Sequence, residues 1–119
     1  MLPRQSRMVS SAEFGTAVRQ GRRCGRALLT AHLLLRPTQE HEAARAGFVV
    51  SRSVGGAVVR NKVRRRLRSV VRGLLPSLPG GSLLVVRAHP QAAAARQADL
   101  AADMGRALQT LLRQVGAGQ

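Results

Sequence analysis

The most regular pattern in the chain lies at its end. Leu100, Met104, Leu108, Leu111 and Val115 recur at steps of three and four residues, which predicts an amphipathic closing helix from about Ala98. SSAEFGTAVRQG at 10–21 carries the same period more briefly, with Phe14, Ala17 and Val18 on one face. Ser10 with Glu13 three residues later reads as a capping box, and Gly21 as a stop. A two-residue alternation takes over in ALLTAHLLL at 27–35, which Pro37 ends too early for a helix. As a strand it puts Leu28, Thr30, His32 and Leu34 on one face and Leu29, Ala31, Leu33 and Leu35 on the other. AGFVVSRS at 46–53 reads as a second strand in which Phe48 and Val50 oppose Val49 and Ser51. The polar loop at 37–45 between the two predicts an antiparallel pair.

Gly55 and Gly56 break the pattern, and a helix opens at about Ala57 and ends at LPSLPGG, residues 75–81. SLLVVRA at 82–88 is almost continuously apolar, as expected of a buried central strand, and HPQAAAARQ after it has room for a further turn. The order helix, strands, helix, strand, helix predicts an α+β two-layer sandwich without internal repeats. A length of 119 residues fits one domain spanning 1–119, with 1–6 and 116–119 expected to be flexible.

Charge changes the picture more than length does. Twenty basic residues against five acidic ones give a formal charge of +15, which repels itself unless a polyanion neutralises it. Nucleic acid is the leading candidate, and an anionic membrane surface the second. All the basic residues but Lys62 are arginine; with Ala, Gly, Leu and Val also heavy, this reads as the codon bias of a GC-rich genome. One cysteine, Cys24, excludes an internal disulfide and is compatible with a reducing compartment. Residues 1–20 lack the apolar core of a secretory signal, and 27–35 is far too short for a membrane span, so a soluble, cytoplasmic protein is expected.

The charge is concentrated in AVVRNKVRRRLRSVVR at 57–72, which holds seven basic residues and no acid. At 100° per residue Val63, Leu67, Val70, Val71 and Leu74 share one side, Asn61, Arg65, Arg68 and Arg72 lie opposite, and Arg60, Lys62, Arg64 and Arg66 fill the flanks. An ordinary solvated helix face mixes acids with bases, whereas here like charges repel at i and i+4 with nothing to offset them. Phosphates supply the missing counter-charge. The chain has neither paired helices nor zinc cysteines to frame a DNA-recognition helix, so structured RNA is the better fit. A membrane-surface helix would need bulky apolar anchors that this narrow stripe of valines and leucines does not offer.

No protein active site can be assembled from the remaining residues. Glu13, Glu40, Glu42, Asp99 and Asp103 do not accompany a nucleophile, and His32, His41 and His89 lack metal-ligand spacing. No catalytic side chain, no protein-held metal and no small-molecule substrate are expected.

GFVVSRSVGGAVVRNKVRRRLR at 47–68 resembles the signature of the bacterial ribonuclease P protein subunit: a glycine-led strand, a basic turn, then an Arg-Asn-Arg motif followed by spaced basic residues. The resemblance extends from RMVSSAEF at 7–14 to the terminal helix. It implies a fold related to one domain of a small-subunit ribosomal protein, with a left-handed βαβ crossover around the second helix, which no spacing in the chain could reveal. It also implies a subunit of an endoribonuclease that removes the 5′ leader from precursor tRNA, the RNA subunit being the catalyst and holding Mg2+. By the resemblance, Arg60, Asn61, Lys62, Arg64, Arg65 and Arg68, with Arg52 in the preceding turn, would contact the catalytic RNA. Lys62 stands where the family commonly has arginine, which keeps the charge but loses the bidentate geometry. Phe14, Val18, Thr30, His32, Val49 and Ser51 fall at or near the family's leader cleft, between the first helix and the sheet. Val18 and His32 replace aromatic residues often found there, and with only two phenylalanines the chain has few rings for bases to stack on. The partners expected are therefore ribonuclease P RNA and precursor tRNA, and no membrane. The rival reading is a ribosomal-like structural RNA binder that takes no part in catalysis.

Overall fold

The computed structural model describes residues 6–8 and 11–117. Three helices and four strands follow in the order α1 (Ser11–Gln20), β1 (Arg22–Gly25), β2 (Leu29–Leu34), β3 (Arg45–Val49), α2 (Ala57–Leu74), β4 (Leu83–Ala88) and α3 (Gln97–Ala117). Short 3-10 turns occupy Pro37–Gln39, Leu75–Ser77 and Pro90–Ala94, the last within the stretch expected to hold a further turn. Ser10, half of the expected capping box, lies outside the described residues. The Glu13 carboxylate is engaged elsewhere, by Arg45 at 3.2 Å and Arg36 at 3.5 Å. Of the termini expected to be flexible, residues 1–5, 118 and 119 are outside the described set, and Gly116 and Ala117 close α3.

The sheet order is β1-β2-β4-β3, with β2 antiparallel to β1 and β4 and with β3 parallel to β4. This corrects the expected antiparallel pairing of the strands read at 27–35 and 46–53. β2 and β3 are not neighbours, because α2 carries the chain over the sheet and lays β4 between them. A parallel pair needs such a crossover, and the polar loop 37–45 merely joins strands two positions apart. The second correction is β1, four residues of RRCG just before the alternating run, where no strand is expected. It forms because Arg26 N–H bonds the Leu29 carbonyl at 2.7 Å, folding the chain into a hairpin that pairs Arg22 with Leu33 and Gly25 with Thr30. The third is the end of β3 at Val49. Ser51 lies instead in a turn, its hydroxyl 2.7 Å from that of Ser53.

Alternation along the strands sorts the side chains into two layers. Leu29, Ala31, Leu33, Ala46, Leu84, Val86 and Ala88 face α2 and α3, meeting Val63, Leu67, Val71, Leu100, Met104 and Leu111 in the main core. Leu67, Leu84 and Leu111 are completely buried there, so truncating any of them to Ala should cost roughly 2–5 kcal/mol. The opposite face holds a smaller cluster of Ala17, Leu83 and Val85 with Met8, Phe14, Leu34 and Val49, where α1 lies over β2 and β4. β4, buried at every position but Arg87, is central as expected. Among the described residues no helix is long and apolar enough to cross a membrane.

Candidate nucleic-acid interface

α2 turns its apolar stripe inward and leaves its cations outside. Val63, Leu67 and Val71 are buried, Asn61, Lys62, Arg65 and Arg72 are exposed, and Arg60, Arg64, Arg66 and Arg68 lie half-buried along the flanks. Arg68, expected opposite the stripe, belongs to the flank facing β3, in line with Arg60 and Arg64 at four-residue steps. On the other flank Arg66 donates to the Ala95 carbonyl at 2.9 Å and Gln97 donates back to the Arg66 carbonyl at 3.1 Å, pinning the start of α3 to the ridge. Lys62, Arg65, Arg66, Ser69 and Gln97 line a shallow groove there of about 410 Å³. Arg52, exposed in the turn before α2, extends the basic surface beyond its first residue.

The ion pairs are distributed unevenly. Among the described residues they join Arg26 to Asp103, Arg36 to Glu13 and Glu42, Arg45 to Glu13, and Arg96 to Asp99. None involves α2, so none of its seven cations is opposed by a carboxylate.

The α1 side of the sheet presents a different surface. Strand register sets residues there in rows, Arg23–His32–Val85–Gly47 and, one step further from α1's contacts with Leu83 and Leu34, Gly25–Thr30–Arg87–Val49. The second row is the more open, with Thr30 and Val49 half-buried and Arg87 exposed between them. Val18 is 38% exposed on α1, and Phe14 points the end of its ring at Gly47, where an added Cβ would run into it. Thr30 is already engaged, its hydroxyl 2.7 Å from Nε2 of His89.

His32 sits deeper than a stacking platform would. It is 6% exposed, and its Nδ1 has no hydrogen-bond partner among the described residues. Burial lowers its pKa from the usual 6.5, and the positive charges of Arg87 and Arg23 lower it further, so the ring is neutral at pH 7. Thus Phe14, Val18, Thr30, His32 and Val49 do converge on one side of the sheet, while Ser51 lies in the turn beyond it. Sequence reasoning missed Arg23 and Arg87. Arg87 was detectable as the one polar position in an apolar strand, whereas Arg23 was hidden in the unrecognised β1.

Carboxylates capable of holding a hard cation are not brought together. Among the described residues no three His, Cys, Asp or Glu side chains form a metal-ligating group, and Glu13, Glu42, Asp99 and Asp103 are each tied to an arginine.

These features define a class: a small basic α+β protein whose distinctive surface is a cationic helix with no carboxylate partner among the described residues. A family model described as Ribonuclease P matches residues 2–112. The ribonuclease P protein component of Streptomyces avermitilis is 55% identical over 118 residues, covering 94% of this chain and 96% of the relative; that of a Nocardioides species is 51% identical over 108 residues, covering 91% and 92%. The solved ribonuclease P protein of Staphylococcus aureus superimposes with a TM-score of 0.78 at 19% identity, over 88% of this chain and 94% of that one. That of Thermotoga maritima gives 0.67 at 21% identity, over 84% and 89%. The chain belongs to the ribonuclease P protein family, and is thereby a protein subunit of an endoribonuclease of tRNA processing.

Proposed function

We propose that this subunit binds the catalytic RNA of ribonuclease P through the α2 ridge and holds the 5′ leader of precursor tRNA along the α1 side of the sheet. It thereby assists the RNA in cutting the leader away, in the cytoplasm. The observation that carries the reading is the absence of any carboxylate partner for the seven cations of α2, while every ion pair among the described residues lies elsewhere. Opposing phosphates would relieve that repulsion and release counterions from the RNA. Arg60, Arg64, Arg65 and Arg68 are the main contacts, with Asn61, Lys62 and Arg52 beside them. The open row supplies the leader surface, where Arg87 offers a phosphate contact between Thr30 and Val49 and where Phe14 and Val18 border the path. Ser51 and Arg52 stand where that path leaves the sheet toward α2.

Among the described residues no three His, Cys, Asp or Glu side chains offer Mg2+ a site, and Glu13, Glu42, Asp99 and Asp103 are each paired with an arginine. The metal belongs with the RNA, and the protein's part is electrostatic and positional. Reconstitution with a bacterial ribonuclease P RNA tests this directly. Adding the protein should lower the magnesium concentration needed to cleave precursor tRNA, while the protein alone should leave the precursor intact. Robust cleavage by RNA-free protein, or no effect on the magnesium requirement, would overturn the reading.

A further inference from the structure

His89 stands beside the open row of the sheet, and neither surface accounts for it. It follows β4 directly. Its N–H donates to the Leu28 carbonyl at 2.9 Å and its own carbonyl accepts from the Ala92 N–H at 2.9 Å, so the backbone is held on both sides of the residue. Alternation puts its side chain on the same face as Arg87, two positions earlier. Both ring nitrogens have partners: Nε2 is 2.7 Å from the Thr30 hydroxyl, and Nδ1 is 3.3 Å from the Ala27 carbonyl oxygen.

Those two contacts fix the polarity of Thr30. A carbonyl oxygen only accepts, so Nδ1 carries the ring proton; a bare Nδ1 would set its lone pair against those of the Ala27 oxygen. In a neutral imidazole the other nitrogen is then an acceptor, and Thr30 donates its single hydroxyl proton to Nε2. What Thr30 can still offer is its oxygen lone pairs, and among the described residues its hydroxyl makes no other hydrogen bond. On the β1 side its register partner is Gly25, where even an added Cβ would stand 3.7 Å from Oγ1, so the hydroxyl is uncovered there. On the β4 side its register partner is Arg87, exposed and without an ion-pair partner among the described residues. The row thus sets a neutral acceptor beside a cation, with directly opposed residues about 5 Å apart. Its complement is a donor hydroxyl adjoining a phosphate. A ribonucleotide has that pair in its 2′-hydroxyl and 3′-phosphate, and a deoxyribonucleotide lacks the hydroxyl.

We infer that His89 is a positioning residue that holds Thr30 as a hydrogen-bond acceptor for one ribose 2′-hydroxyl of the leader, so that the open row selects ribose over deoxyribose. The inference rests on the reading of that row as the leader surface. That reading is checked by the preference for precursor over mature tRNA, whereas sugar selection is checked among precursors alone, so the two fail separately.

The reconstituted holoenzyme is given precursor tRNAs that differ only in the leader sugars away from the cleavage site: ribose, 2′-deoxy or 2′-fluoro. Fluorine keeps the ribose-like ring pucker but cannot donate a hydrogen bond. The ribose leader should bind about three- to tenfold more tightly than either of the others, the worth of one hydrogen bond between neutral groups. Thr30→Val, which keeps the shape and removes the hydroxyl, should bind all of them alike, and Thr30→Ser should retain the ribose preference. His89→Leu should narrow it. Nitrogen-15 spectra of the free protein, at a pH well above the ordinary imidazole pKa of about 6.5, read the ring directly and should show Nδ1 protonated and Nε2 bare. Equal binding of ribose and deoxyribose leaders by a holoenzyme that still prefers precursor to mature tRNA would overturn the inference and leave the leader reading standing. So would a 2′-fluoro leader bound like ribose, an unchanged preference in His89→Leu, or the proton found on Nε2. A wild-type holoenzyme without any preference for the precursor would overturn both.

Discussion

The α2 ridge and the α1 side of the sheet are both cationic, yet they are built in different ways. On α2 the charges are close together in sequence and stand on one convex helix over a buried stripe of Val63, Leu67 and Val71. On the sheet, Arg23 and Arg87 are far apart in the chain and are brought near His32 by strand register, among half-buried apolar side chains. The first surface can meet many phosphates, each contributing a similar increment. The second has a few positions whose value depends on place. Affinity should reside in the ridge and discrimination in the sheet.

The largest expected effect comes from removing ridge charge. Replacing Arg60, Arg64, Arg65 and Arg68 together by Ala should lower affinity for the catalytic RNA by orders of magnitude. It should reduce the slope of log affinity against log salt by about 3, from roughly 0.7–0.9 per phosphate contact. Arg65→Ala alone, at an exposed position, should reduce it by a single such increment. Binding measured across a salt series gives both slopes. An unchanged slope in the fourfold variant would place the RNA on another surface.

Next in size is Phe14. Its ring packs against Gly47 and borders both the sheet and a cavity at the β3 edge, so Phe14→Ala would confound packing with recognition. Phe14→Leu keeps most of the apolar volume and removes the ring. It should cost the holoenzyme about 1–3 kcal/mol of precursor binding if a base rests there. Thermal melts separate the roles, since a purely structural Phe14 would lose Tm with precursor binding unaltered.

The contrast between the two surfaces also explains what could be read from the chain. The ridge was legible because one helix has one period: the seven cations and the five apolar residues of the stripe in 57–74 fix their own faces, and only Arg68 was misplaced, by one flank. The sheet surface was legible only where alternation was strong, as in 27–35. RRCG has no alternation and becomes β1 through its hairpin partner, so Arg23 was invisible. The neighbour of β3 was misassigned because sequence adjacency favours the strand before it, whereas the α2 crossover supplies a more distant one. The burial of His32 depends on α1 lying across the sheet, which no local pattern encodes. The cavity at the β3 edge draws on residues 7, 14, 48, 64 and 68 at once and has no sequence signature at all.

A smaller and specifically sheet-side effect concerns acid. The pKa of His32 is lowered in the folded protein, so below pH 6.5 the unfolded chain takes up the proton first and stability falls as the pH drops toward the folded value. His32→Gln should remove this component, flattening the dependence of Tm on pH between about 7 and 5 relative to wild type. If the two curves run parallel, His32 is not buried as a neutral ring.

The division of labour is tested most directly by the affinity of the reconstituted holoenzyme for precursor and for mature tRNA, with RNA subunit and protein saturating each other. Wild type should prefer the precursor, since mature tRNA has no leader to lie along the open row. Arg87→Ala should narrow that preference severalfold while leaving Tm and the affinity for catalytic RNA in place. Arg65→Ala, once saturated with RNA, should retain the preference. A preference lost with Arg65→Ala and kept with Arg87→Ala would contradict the account, because it would put discrimination on the ridge and leave the sheet without the leader.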